Sequence, residues 1–174
     1  MKMTCEKCGE SISSPDGKYL YYQGGMVFAC KACAEQLKDE IKCARKVCAA
    51  VDAKKAHAVF IADNQDELDR FLRRLERTMK RIPDEGSLRS DVRLLAALAK
   101  SYVAGDYKEI SYNKIVGAVA TLLYVNSPMD IIPDALPGVG FSDDEVAVKL
   151  CMKMLHDDLE HYNTWHKTNA GRTE

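Results

Sequence analysis

Ile115-Val116-Gly117-Ala118-Val119-Ala120-Thr121-Leu122-Leu123-Tyr124-Val125 is the longest apolar run in this chain of 174 residues, and it is apolar on every side. Its 11 residues fall well short of the roughly 20 that a helix needs to cross a bilayer. A helix with no polar face must be covered on all sides, so the run is read as the central, most buried helix of a bundle, capped at Ser111.

The segments on either side carry the helices that would cover it. Before it, Leu88, Val92, Leu95, Leu98 and Tyr102 repeat at helical steps, with Ser87 as cap and Gly105 at the end. Earlier still, Leu68, Phe71, Leu72, Leu75, Met79 and Ile82 form one stripe, opened by an Asn64 cap with Glu67 three residues on and closed by Pro83. Leu37, Ile41, Ala44, Cys48 and Val51 mark another helix in a stretch, 31–82, that holds neither Gly nor Pro. After the run, Ser142-Asp143-Asp144-Glu145 has the form of a capping box. It opens a last helix bearing Val148, Cys151, Met152, Leu155, Leu159 and Tyr162. The fold class is therefore mainly α, with about five helical stretches.

The amino-terminal end is different in kind. Two Cys-x-x-Cys pairs, Cys5 with Cys8 and Cys30 with Cys33, are separated by residues 9–29. A tight turn sets two cysteines on one ion, and Gly9 lets the chain bend behind Cys8. Between the pairs lie segments for two hairpins: Ile12–Ser13 with Lys18–Leu20, and Tyr21–Tyr22 with Met26–Phe28. The second pair meets the start of a helix, whose positive end favours thiolate. These features predict one structural Zn²⁺ held by Cys5, Cys8, Cys30 and Cys33. Four thiolates leave no position open for water, so catalysis at that ion is not expected. The order of knuckle, hairpins, knuckle and helix resembles a treble-clef or LIM-like zinc finger.

The link between the last two helical stretches, 124–144, holds three prolines and four aspartates. Ser127, Pro128, Asp130, Ile132, Pro133, Asp134, Gly140, Asp143 and Asp144 fall in a pattern that closely resembles the YkvA-like family, a bacterial domain of unknown function. The resemblance is strongest over 118–144 and looser over 88–155. It implies an all-helical fold and brings no activity with it. The amino-terminal module lies outside it, so the chain reads as a fusion: 1–35 zinc finger, 36–86 bundle helices, 87–166 YkvA-like domain, 167–174 tail. Asp130, Asp134, Asp143 and Asp144 serve either as helix caps or, alternatively, as a site for a hard cation, Mg²⁺ or Ca²⁺.

Net charge is −1, which by itself points to neither nucleic acid nor membrane. Charge is nonetheless uneven. Arg70, Arg73, Arg74, Arg77, Lys80 and Arg81 crowd one helix and offer an anion-binding face, while 130–160 is strongly acidic. The opening residues hold no apolar signal and the seven cysteines are odd in number, which predicts a cytoplasmic chain with reduced thiols. No catalytic residue is assigned. The resulting expectation is a non-enzymatic zinc-binding interaction protein with a protein partner. The alternatives are a nucleic-acid binder using the basic helix, a metal-dependent enzyme using the aspartates, and a membrane-surface protein.

Overall fold

A computed structural model describes residues 2–13, 16–22, 25–83, 86–127 and 141–169. The chain forms two compact units, Met1–Lys46 and Val47–Glu174.

The first unit holds two antiparallel hairpins. β1 (Lys2–Thr4) pairs with β2 (Ser11–Ser13), placing Met3 opposite Ile12. β3 (Gly17–Tyr22) pairs with β4 (Gly25–Cys30), placing Tyr19 opposite Phe28 and Tyr21 opposite Met26. The second expected hairpin is therefore present and longer than foreseen. The first is corrected: Ile12 pairs backwards with Met3, leaving all of Lys18–Leu20 to β4. Gly17 is part of β3, and a Cβ there would overlap the Phe28 ring, so the missing side chain is what makes room for that ring. Among the described residues Cys5, Ala29, Cys30, Ala34 and Leu37 form the buried apolar cluster of this unit, with Ile12, Leu20, Val27 and Cys33 partly covered beside them.

The helices are α1 (Lys31–Ala53), α2 (Lys55–Ala62), α3 (Gln65–Met79), α4 (Leu88–Ala104), α5 (Tyr112–Val125), α6 (Ser142–Met154) and α7 (His156–Asn169). Among the described residues seven arise from the five helical stretches, because two of those are interrupted, at Lys54 and at Leu155. In the second unit α5 is the hub. It packs against α2, α4 and α6, and from Ile115 to Val125 only Leu123 is not buried. Leu68, Phe71 and Leu75 of α3 and Val92, Leu95 and Leu98 of α4 complete the core from one side.

The caps vary in chemistry. Asn64 Oδ1 accepts the Glu67 N–H at 3.1 Å, as expected, and Gly105 closes α4 at φ +91°. Ser87 and Ser111 occupy their helix starts without a side-chain cap bond. Ser142 does not cap α6: Phe141 holds the cap position, Ser142 is already helical, and Glu145 pairs instead with Lys149 at 2.6 Å.

Candidate metal centre

The first knuckle is built by backbone hydrogen bonds. After β1 the Cys5 N–H donates to the Glu10 carbonyl at 2.8 Å, and the Gly9 N–H returns to the Cys5 carbonyl at 2.8 Å. Gly9 makes that return at φ +77°, a conformation with a steric penalty for any residue bearing a Cβ. The knuckle is then tied to β4. The Glu6 N–H donates to the Phe28 carbonyl at 3.0 Å, and the Phe28 N–H donates to Glu6 Oε1 at 2.9 Å. This places Cys5 and Cys8 against the end of β4, where Cys30 is the last strand residue, and Cys33 follows in the first turn of α1.

The four sulfurs lie within 4.8 Å of one another, and Cys8 Sγ is 4.0 Å from Cys30 Sγ. A disulfide would need about 2.05 Å. A tetrahedron of thiolates at 2.3 Å from an ion has sulfurs about 3.8 Å apart. The four cysteines could therefore hold one metal ion with little movement. Among the described residues they are the only group of three or more ligating side chains so close together.

Cys5 and Cys33 are shifted in opposite directions. The N–H groups of Cys30 and then Cys8 lower Cys5 to about 6, the Cys30 N–H approaching its sulfur to 3.3 Å. Cys33 is pushed up to about 12, first by its bond to the Cys30 thiol and then by burial. One sulfur is thus prepared as a thiolate, and the crowding of its neighbours resists further charge. A divalent cation at the centre reverses that resistance.

The other candidates separate. Asp130 and Asp134 lie outside the described residues. Asp143 and Asp144 are fully buried in the first turn of α6, and the Tyr124 hydroxyl donates to Asp143 Oδ2 at 2.6 Å. Their burial had no sequence signal, since acids in a first helical turn read as solvated. The six cations of the basic helix are all exposed, but they do not act as one stripe. Arg70 bonds Glu67 at 2.7 Å, whereas Arg73 and Lys80 face a groove completed by Arg89, Arg93 and Lys100 of α4. The α4 contribution was missed because those three cations are spread thinly along a helix whose apolar stripe dominates its pattern.

Comparisons with known proteins agree with the helical domain. Residues 114–150 match the family described as Protein of unknown function (DUF1232). The chain is similar to the uncharacterized membrane protein YkvA of Bacillus subtilis (strain 168), at 34% identity over 61 residues. That alignment covers 35% of this chain and 58% of the relative, so the chain spans little more than half of the relative's length. No solved structure matches. The YkvA-like resemblance of this region is thus borne out. The cytoplasmic expectation is overturned, because the relative bears the name of a membrane protein. No helix among the described residues is long and apolar enough to cross a membrane.

Proposed function

We propose that this chain is a non-enzymatic interaction protein whose amino-terminal unit is stapled by one structural Zn²⁺ on Cys5, Cys8, Cys30 and Cys33. The observation that carries the reading is the mutual approach of four sulfurs within 4.8 Å, with the Cys5–Cys8 knuckle held by backbone bonds. An all-sulfur tetrahedron selects zinc or iron among common metals, and a closed set of four ligands suits a structural ion. The need for a staple is plain from the cluster of five buried residues, too small a core to stabilise the unit alone. Ion binding of about 10–16 kcal/mol in comparable modules would supply the folding free energy.

The test is elemental analysis of protein purified under reducing conditions. One zinc per chain is the expected result. Iron at that stoichiometry, or no metal, would reject the proposal.

A second reading, residence at a membrane surface, is favoured by the name of the Bacillus relative. Flotation with anionic liposomes tests it, and a chain that stays at the bottom of the gradient would dismiss it.

A further inference from the structure

Between α3 and α4 runs an open groove of about 580 Å³, entirely within the second unit. Its floor is apolar: Leu72, Met79, Ala96 and Ala97 are each only partly covered, and Leu75 lies beneath them. It spans Asp69 to Lys80 on one helix and Arg89 to Lys100 on the other, which at 1.5 Å per residue is roughly 16 Å, or three helical turns. The two small alanines on α4 leave room for another backbone to approach.

The rims are charged in an ordered way. On the α4 rim of the groove the charges are all positive: Arg89, Arg93 and Lys100. Along α3 they alternate: Asp69, Arg73, Glu76, Lys80. Arg89 donates to the Ile82 carbonyl and so closes one end of the groove. Arg73, Lys80, Arg93 and Lys100 form no ion pair among the described residues, and all four are exposed.

We infer that this groove receives an amphipathic helix of a partner protein, with acidic residues along the flank that faces α4. The inference rests on the interaction-protein reading above and names the docking site and the chemistry of its occupant. Charge spread over three turns matches a partner whose acids repeat along its length. A single-chain anionic lipid concentrates its charge at one end and leaves most of the rim without a counterpart. A nucleic-acid backbone would gain nothing from the recessed apolar floor, finds no aromatic ring to stack on, and would meet Asp69 and Glu76. The alternating α3 rim adds polarity, because the partner's second flank must carry cations opposite those two acids, as flanking charges set orientation in paired helices.

The experiment uses the full chain with its metal and a 14-residue helical peptide bearing a leucine stripe and a glutamate flank. A second peptide with lysines replacing those glutamates is the control. Titration calorimetry or fluorescence anisotropy should show binding of the acidic peptide that weakens with salt, and none of the basic one. R93E/K100E should lose about tenfold or more in affinity for the acidic peptide and gain affinity for the basic one. That gain cannot come from misfolding. Equal binding of both peptides, or an unchanged affinity in R93E/K100E, would overturn the proposal. So would stronger retention on phosphatidylglycerol vesicles or a single-stranded oligonucleotide than on the acidic peptide. Metal content measured on the same preparation keeps the two readings apart: one zinc per chain with no peptide binding defeats the groove and leaves the zinc staple standing.

Discussion

The hydroxyl of Tyr124, one residue from the end of α5, donates to Asp143 Oδ2 in the first turn of α6 at 2.6 Å, and both residues are almost wholly buried. An acceptor in so dry a place depends on its donors. Tyr124→Phe removes the hydroxyl and keeps the ring, so it should cost about 1–3 kcal/mol of stability. Urea denaturation with an unchanged m-value checks this. A midpoint matching the wild type would show that the bond contributes nothing net.

If the proposed zinc is bound, its removal should be felt in one unit before the other. With a strong chelator, or in Cys33→Ser, amide exchange over 2–30 should speed up greatly, because the five-residue cluster there cannot hold the hairpins. Exchange over 115–125 should stay slow, since that helix is buried in the core of the second unit. Hydrogen-exchange mass spectrometry reads both segments at once. Equal protection of 2–30 with and without chelator would contradict the expectation.

How far these arrangements could be read in advance depended on whether the decisive signal was local. α3 was legible because its stripe and its Asn64 cap lie within one stretch of chain, and Asn64 does accept the Glu67 N–H. The α5 run announced its own burial. The breaks at Lys54 and Leu155 carry no Gly or Pro, so tertiary packing makes them and the local pattern does not show them. The pairing of Met3 with Ile12 rests on strands of three residues, too short to display alternation. The cysteine quartet was legible from spacing alone. The burial of Asp143 was not, because its donor is 19 residues away on another helix. The groove rim was half visible: the α3 cations stood out by density, and their α4 counterparts did not.

Gly17 offers a test of packing in the first unit that leaves the sulfurs untouched. A Cβ there would stand 2.2 Å from Phe28 Cζ and 2.6 Å from Cε2, so the ring must leave its place. Gly17 is paired with Cys30, which puts the disturbance next to one of the four clustered cysteines. Gly17→Ala should destabilise the unit by about 1–3 kcal/mol through overpacking and weaken its hold on metal. Competition with a colorimetric zinc chelator measures the second effect. By contrast Gly9→Ala meets no atom within 4 Å, and its cost should come from the backbone at φ +77° alone, about 1 kcal/mol.

In the second unit the Tyr112 hydroxyl donates to Asp63 Oδ1 at 2.7 Å, joining the start of α5 to the end of α2. The bond to Asp63 comes first, and burial second, in raising this phenol from 10.0 to about 12. Folding therefore favours the protonated phenol. Between pH 10 and 12 the unfolded chain binds fewer protons than the folded one, so this contribution is whole below pH 10 and disappears as pH rises through 12. The bond is largely open to solvent, which limits it to about 0.5–1 kcal/mol. Tyr112→Phe should be less stable than the wild type by that amount at pH 8, and the gap should close as pH rises toward 12. Phenolate absorbance gives an independent reading: the titration step missing from Tyr112→Phe should sit near the top of the tyrosine range, and Asp63→Ala should bring it back toward 10. A missing step at the ordinary tyrosine value in the unaltered chain would show that Asp63 does not hold this proton.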